Sequence, residues 1–258
     1  MILVLGGTYD SRKLTEALLE GGHQVIYSSV SDYNIAQLPD HPDLHLHVGA
    51  LDKTEMRIFM REKSVDICVD ATHPYASEVS LNAITVCKDE GCAYVRLERP
   101  RMQDDGQTTL GFPTYEQAVD YLAAQKGKIL LTTGSRQLEA YQKLPKERLV
   151  IRVLPTSKVL QKCESLGYKP NQIIAMQGPF SFAMNVQMLQ ENAIRFMVTK
   201  DSGDIGGIAE KIKAAKECNV QVVFISRPAV DYPVVFNTIE PVIEWVGNQR
   251  NKNAGVSK

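Results

Sequence analysis

Several short apolar segments of this 258-residue chain end in glycine, hydroxyl or charged residues. Residues 4–12 have the sequence VLGGTYDSR, residues 128–135 KILLTTGS, and residues 195–207 RFMVTKDSGDIGG. Where a strand ends in such a turn and a helix begins, backbone N–H groups and the helix dipole attract anions. These turns could bind phosphates or carboxylates. The alternative is that their residues only cap the helices that follow.

The first of these turns resembles a dinucleotide-binding turn only in part. Gly6 and Gly7 are adjacent, so the full G-x-G-x-x-G fingerprint is absent. Its position at the start of a strand–helix–strand pattern nevertheless favours phosphate binding over a plain tight turn.

The end of the second predicted strand bears on the choice of nucleotide. It carries Ser28 and Ser29, with no carboxylate before Asp32, and Arg12 lies one turn into the first helix. Hydroxyls and a guanidinium suit a 2′-phosphate better than a bare ribose. The pattern predicts NADPH, with NADH as the alternative, unless Arg12 is simply a solvated helix residue.

The segment CVDATHPYASEV at residues 68–79 places His73 directly after a strand. Pro74 suits the first position of the following helix. His73 would then lie at the rim of the sheet, where it could bind substrate, contact a nicotinamide or cap the helix.

Other strand ends carry arginines and small turns. The arginines lie in RLERP (96–100), SRP (226–228) and VIRVLP, which contains Arg152. Gathered at one cleft they would receive a polycarboxylate, whereas singly they would form ordinary surface ion pairs. The turns TTGS (132–135) and QGPFS (177–181) could bind carboxylates or cap helices.

Two other kinds of chemistry are not predicted. His41, His45 and His47 lack the acidic or cysteine ligands that would complete a metal site, so no metal is expected. The Tyr-x-x-x-Lys spacing of short-chain dehydrogenases occurs only at Tyr9 and Lys13, inside the first turn and helix, which excludes that family.

Composition narrows the class of protein. A net charge of −1 gives no basis for binding nucleic acid or an anionic membrane. The five cysteines form no CxxC pair, and the N-terminal apolar run ends after five residues. We expect a cytoplasmic protein with no membrane partner.

The elements that must position these residues alternate along the chain. Strands are predicted at 2–5, 24–28, 44–48, 65–70, 93–97, 128–132, 149–153, 172–176, 195–199 and 221–225. Helices are predicted at 11–20, 53–63, 75–90, 115–125, 135–143, 156–166, 181–191 and 206–218. This alternation predicts an α/β fold of two Rossmann-like lobes, with mostly parallel sheets and an inter-lobe cleft.

The polar stretch at residues 100–114 is interpreted as a domain junction. The predicted domains are a dinucleotide-binding lobe at 1–105, a substrate lobe at 106–246 and a frayed polar tail at 247–258. No coiled coil or long exposed apolar stripe is visible, so a monomer is expected.

Taken in order, the turns resemble a known family. LVLGGT…R, DATHPYA, RLERP, LLTTGS, GPFS…N and VTKDSG…GG are similar to blocks of precorrin-6A reductase of cobalamin biosynthesis, over nearly the whole chain to Arg227. The resemblance implies hydride transfer from a reduced pyridine nucleotide to a corrin precursor, either metal-free or with cobalt as part of the substrate.

The resemblance also assigns residues to the two partners. On the cofactor side it implies Gly6, Gly7, Thr8, Arg12, Ser28, Ser29, His73 and Pro74. On the substrate side it implies Thr133, Gly134, Ser135, Gly178, Ser181, Lys200 and Asp201. The chain departs from the family at Tyr75, commonly Phe, and at Phe182 and Ala183, where acidic residues are common before the Asn.

Lys200 and Asp201 are the predicted catalytic residues. Hydride transfer adds negative charge to the conjugated ring, and the Lys200 ammonium could stabilise it or orient a carboxylate of the tetrapyrrole. Asp201 could fix the lysine. The alternatives are a surface ion pair at this position, a non-catalytic NADP(H) sensor, or a dehydrogenase with a smaller acidic substrate.

Overall fold

The structure is a computed structural model and describes residues 1–30, 35–100, 108–201 and 207–255. Its strands are β1 (Ile2–Leu5), β2 (Val25–Ser29), β3 (Leu44–Val48), β4 (Ile67–Asp70), β5 (Ala93–Leu97), β6 (Thr109–Phe112), β7 (Lys128–Leu131), β8 (Leu149–Val153), β9 (Ile173–Ala175), β10 (Ile194–Lys200), β11 (Gln221–Ile225) and β12 (Val235–Phe236). Its α-helices are α1 (Tyr9–Glu20), α2 (Lys53–Glu62), α3 (Ser77–Glu90), α4 (Tyr115–Ala123), α5 (Ser157–Ser165), α6 (Phe182–Glu191), α7 (Ile208–Glu217) and α8 (Ile239–Gly255).

The chain divides into two compact units. The described residues up to 100, together with those after 227, form the first unit, and those between form the second. This differs from the predicted boundaries at 105 and 246, because the chain after residue 227 returns to the first unit. There β12 pairs with β5, and α8 buries Val242 and Val246 in the core.

The first unit contains a six-stranded parallel sheet of order β12-β5-β4-β1-β2-β3. Every residue of β1, β2 and β4 is buried, as expected for strands covered by helices on both faces. The order reverses between β1 and β4. Ligands of doubly wound sheets bind beyond the carboxyl ends of the strands at this switch point.

The second unit repeats this arrangement with the order β6-β11-β10-β7-β8-β9, also parallel. Its switch point lies between β7 and β10. Each sheet contains five strands that are consecutive in the chain, β1–β5 in the first unit and β7–β11 in the second, and one further strand at an edge. In the first sheet this edge strand is β12, which follows the five in the chain. In the second it is β6, which precedes them. The predicted α/β fold with two mostly parallel sheets is confirmed.

Apolar helix faces cover both sides of the first sheet. Leu14 and Leu18 of α1 pack with α8 on one side, and Met56 of α2 packs with Val86 of α3 on the other. In the second unit, Leu189 of α6 and the alanines 214 and 215 of α7 cover the sheet. These cores fix the strand ends, where the predicted site residues lie.

Two predictions about individual segments are wrong, and a third is incomplete. The junction interpreted at 100–114 agrees with the division of the chain after Pro100, but the stretch also contains β6, which pairs with β11. The helix predicted at 135–143 is a 3₁₀ segment at Leu138–Lys143. The tail predicted to fray from residue 247 continues α8 to Gly255. In the described part of the chain, every helix is too short or too polar to cross a membrane. The cleft between lobes stays a prediction.

Candidate functional site

The turn after β1 is shaped by two glycines and a tyrosine. A Cβ on Gly6 would lie 2.3 Å from Cζ of the fully buried Tyr27, so a side chain does not fit there. Gly7 has φ of 107°, which favours glycine. Its N–H donates to the Tyr27 hydroxyl at 2.8 Å, and this hydroxyl lies 2.9 Å from Oγ of Ser11.

Thr8 is the N-cap residue of α1. Its Oγ1 accepts from the N–H of Ser11 at 3.1 Å and donates to the carbonyl of Ala71 at 3.0 Å, which joins the turns after β1 and β4. Among the described hydrogen bonds, none uses the N–H of Tyr9 or Asp10. These two first-turn amides can therefore donate to an anion at the start of the helix.

The predicted nucleotide-selecting residues lie at the end of β2 and in α1. Ser28 and Ser29 are both buried, and Oγ of Ser28 lies 3.0 Å from Nδ1 of His47. The guanidinium of Arg12 lies 5.7 Å from the ring centre of Tyr9. Asp32 lies outside the described residues. Contact of these side chains with a nucleotide stays a prediction.

The turn after β4 differs from its predicted form. α3 begins at Ser77 with Ala76 as N-cap, so Pro74 lies in a turn before the helix rather than at its first position. His73 is exposed, and its Nδ1 accepts from the N–H of Tyr75 at 3.3 Å. His73 therefore folds its own turn instead of capping α3 with its side chain.

A buried polar network holds this turn in place. Oδ1 of Asp70 accepts from Nη1 of Arg96 at 2.6 Å and from the hydroxyl of Thr72 at 2.7 Å. Oδ2 of Asp70 accepts from Ser80 at 2.5 Å and from Tyr94 at 2.8 Å. The motifs DATHP and RLERP are thus joined through Asp70 and Arg96.

Arg96 is almost fully buried, and its charge is compensated. Its Nε donates to Glu98 at 2.7 Å, in addition to the bond to Asp70. Burial alone lowers the pKa of Arg96, but the carboxylates of Asp70 and Glu98 raise it above the ordinary value. The hypothesis that Arg96 faces a cleft to receive a carboxylate is therefore wrong.

Two more of the predicted arginines pair within their own unit. Arg99 forms an ion pair with Asp10 in the first turn of α1. Arg227 binds Asp201 through the side chain at 3.1 Å and through the carbonyl at 2.9 Å. These arginines anchor the chain at the strand ends rather than forming a common receptor.

The second unit carries Lys200 and Asp201 at the end of β10, beside its switch point. Asp201 is buried and paired with Arg227, so the residue predicted to fix Lys200 holds an arginine. Lys200 is half-buried. Burial, followed by the positive charge of Arg136, lowers the pKa of its ammonium.

The small-residue turns of the second unit lie at the same edge of the sheet. Thr132 and Thr133 follow β7, and Gly134 has φ of 76°. Ser181 is the N-cap of α6 and accepts from the N–H of Met184 at 3.3 Å, which confirms the capping interpretation for this residue. Ser135 follows Gly134 in the same turn, before the 3₁₀ segment.

A cavity of about 400 Å³ opens among these turns. Thr132 and Gly134 after β7, Gly178 after β9, and Arg152 near the end of β8 are among its walls. Two of the predicted substrate residues, Gly134 and Gly178, therefore lie at one cavity together with Arg152.

The sequence motif GPFS…N holds Arg152. The amide oxygen of Asn185 accepts from Nη1 of Arg152 at 2.9 Å, and the ring centre of Phe180 lies 4.1 Å from the guanidinium carbon. The Asn185 amide also donates to the carbonyls of Phe180 and Ser181. Burial lowers the pKa of Arg152 to about 10.

Lys211 of α7 lines the same cavity and was missed in the sequence. It is 9% exposed, and its Nζ lies 3.4 Å from the hydroxyl of Thr199. Burial, followed by the charge of Arg152, lowers the pKa of Lys211 to about 8. The sequence did contain a signal that Lys211 is buried, because its helical spacing places it on one face of α7 with the apolar residues Ile208, Ala214 and Ala215.

The three histidines at 41–47 do not make a metal site within the described residues, where no group of three potential ligands is found. His47 instead bonds Ser28 and contacts the ring of Phe59.

A doubly wound parallel sheet with a glycine turn at its switch point is an architecture common among nucleotide-binding α/β proteins, and this chain contains two such sheets. The sequence profile described as "Precorrin-6x reductase CbiJ/CobK" matches residues 1–247. The chain belongs to this family, and it is an oxidoreductase.

Individual relatives agree with this assignment. The cobalt-precorrin-6A reductase of Priestia megaterium is 36% identical over 96% of this chain and 99% of the relative. That of Methanocaldococcus jannaschii is 34% identical over 96% and 98%. A solved structure of CobK precorrin-6A reductase, 24% identical, covers 96% of both chains with a TM-score of 0.78, a likeness of the fold.

Proposed function

We infer that this chain reduces the macrocycle of precorrin-6A, or its cobalt form, during cobalamin biosynthesis. The observation that carries the inference is the family match over residues 1–247, which includes both sheets and both switch points. The glycine-containing turns at these switch points lie where doubly wound folds bind their ligands, which supports the inference.

The residues of the first unit fit a pyridine nucleotide. The two glycines let a pyrophosphate approach the turn after β1, and the amides of Tyr9 and Asp10 can donate to it. We propose NADPH over NADH, because Ser28, Ser29 and Arg12 offer hydroxyls and a guanidinium where a carboxylate would otherwise select the unphosphorylated ribose. When bound, the reduced nicotinamide supplies the hydride.

The turn after β4 would meet the nicotinamide end of the cofactor. The network around Asp70 binds Thr72, the residue before His73 and Pro74, and so anchors the start of this turn before a ligand binds. His73 is exposed at this position.

On the substrate side, Lys200 would act as the catalytic cation. As an ammonium at a strand end it can stabilise the negative charge that reduction places on the ring, or orient an acidic arm. Asp201 acts indirectly, because its pair with Arg227 holds the end of β10 and hence Lys200. Thr133, Gly134, Ser135, Gly178 and Ser181 would complete this side.

The test is oxidation of NADPH, and separately of NADH, in the presence of precorrin-6A or cobalt-precorrin-6A. Cofactor oxidation that depends on one macrocycle is expected, and it names both the preferred nucleotide and the substrate. Tight nucleotide binding with no turnover on either ring would instead support the sensor alternative.

Lys200→Ala is the sharpest single variant for the proposed mechanism. We expect turnover to fall by about 10²-fold or more, with nucleotide binding retained, because the charge acts on the transition state. Lys158→Ala, on the exposed surface of α5, is the matched control. Full turnover by the Lys200 variant would remove its catalytic role.

A further inference from the structure

The cavity of the second unit contains two buried cations that have no carboxylate partner among the described residues. Arg152 is 6% exposed and Lys211 is 9% exposed. Across the part of the chain that the structure describes, no salt bridge includes either of them. Their described contacts are neutral: Asn185, Met188 and Phe180 for Arg152, and Thr199 for Lys211.

Such an arrangement is costly in the unliganded protein. Each cation loses hydration on burial, and the charge of Arg152 also acts unfavourably on Lys211. The guanidinium is nevertheless held in one orientation by Asn185 and Phe180, with its Nε and Nη2 donors unused in the described hydrogen bonds. Two buried cations that line one cavity, with donors that the described hydrogen bonds do not use, suit the binding of an anion.

The other residues that line the cavity indicate the kind of molecule to which the anionic group belongs. Val153, Leu154, Met176 and Pro179 present carbon surface beside the two cations. A volume of about 400 Å³ is at the lower end for drug-sized ligands, so it holds part of a macrocycle and not the whole. A carboxylate on a short alkyl arm, with the adjoining edge of the ring, matches both the charge and the carbon surface.

We propose that Arg152 and Lys211 together bind one peripheral carboxylate of the tetrapyrrole, a proposal that rests on the reductase function inferred above. Arg152 offers its planar donors to the two carboxylate oxygens, and Lys211 supplies a second positive charge. The pair anchors the substrate in the second unit and takes no part in hydride transfer.

The test compares Lys211→Met, which removes the charge, with Lys211→Arg, which keeps it. For Lys211→Met we expect the KM for the macrocycle to rise at least about tenfold, with kcat within about twofold and the KM for NADPH unchanged. Lys211→Arg is expected to retain most of the affinity. Lys213→Met removes the same charge from the exposed face of α7 and is the matched control.

Two kinetic outcomes would overturn the site. The first is a macrocycle KM that is the same in Lys211→Met and wild type. The second is a rise confined to the KM for NADPH, which would mean that the anion is a nucleotide phosphate.

A binding measurement separates this proposal from the reductase function. The probe is uroporphyrin I, a fluorescent octacarboxylate tetrapyrrole, titrated into wild type and the three variants without nucleotide. If wild type lacks turnover but binds the probe at least about tenfold more tightly than Lys211→Met, the carboxylate site stands and the reductase function falls. Equal binding by wild type and Lys211→Met overturns the carboxylate site.

Discussion

Arg96 in the first unit and Arg152 in the second are both buried arginines on strands of similar sheets, yet their surroundings shift their pKa values in opposite directions. Arg96 lies against two carboxylates, which raise its pKa. Arg152 lies against an amide, a thioether and a ring, and burial lowers its pKa to about 10. One charge is compensated within the fold, and the other is left for a ligand.

This difference separates structural from ligand-binding charge. Removing one partner of a buried ion pair lowers the stability of the protein, because the other charge is left buried and uncompensated. An unpaired cation beside a cavity costs stability that a bound anion can restore. The two units therefore predict opposite responses to the loss of a charged side chain.

The largest expected effect is in the first unit. Asp70→Asn should destabilise the protein by about 3 kcal/mol, because Arg96 loses its closest partner while Thr72, Ser80 and Tyr94 lose a charged acceptor. Urea unfolding followed by circular dichroism measures the change.

Glu16→Gln, in the exposed pair with Lys13, is the control and should leave the midpoint almost unchanged. The double variant Asp70→Asn with Arg96→Met should recover part of the loss, because the buried guanidinium is then absent and only the contact of Arg96 with Glu98 is lost in addition. A single variant as stable as the control would show that the network is not structural.

The second effect is smaller and has the opposite sign. Lys211→Met should stabilise the unliganded protein at pH 7 by about 1–2 kcal/mol, because it removes a buried cation and keeps an apolar side chain of similar length. The same urea experiment without ligands tests this. A destabilised variant would mean that Lys211 contributes to the fold as Asp70 does.

The strand ends that carry charged residues could be predicted from the sequence, but whether each charge is paired within the fold or faces a cavity could not. The runs at 2–5, 93–97, 149–153 and 221–225 were predicted with the bounds that the structure shows, because largely apolar segments define buried parallel strands. The run at 44–48 was also predicted with its observed bounds, although β3 alternates Leu with His and is not buried. The turns at both switch points followed from these strands. The motifs RLERP and VIRVLP look equivalent in sequence, however, although one arginine is paired and the other faces a cavity.

That distinction depends on residues distant in the chain. The partner of Arg96 is Asp70, 26 residues earlier, and the amide that holds Arg152 belongs to Asn185, 33 residues later. Local sequence does not contain either pairing. The strand β6 was missed because its Gly111 is typical of a loop. The reason for glycine at this position also lies far along the chain, since a Cβ on Gly111 would lie 2.5 Å from the ring of Phe224.

The smallest expected effect is a change with pH in the difference between wild type and Lys211→Met. Lys211 has a folded-state pKa of about 8, below the ordinary value of 10.5. Between these values the unfolded chain binds more protons at this site than the folded protein does, so wild-type stability should rise with pH. The advantage of Lys211→Met should accordingly shrink by about half between pH 7 and 9.5.

The charged group that acts on Lys211 from a neighbouring element is Arg152 of β8, which stays protonated over most of this range. Unfolding midpoints of both proteins at half-unit pH steps give the difference, in which titrations common to both cancel. A difference that does not change with pH would mean that Lys211 keeps an ordinary pKa and is hydrated in the cavity. In that case its charge costs the fold little, and the contrast with Arg96 would rest on Arg152 alone.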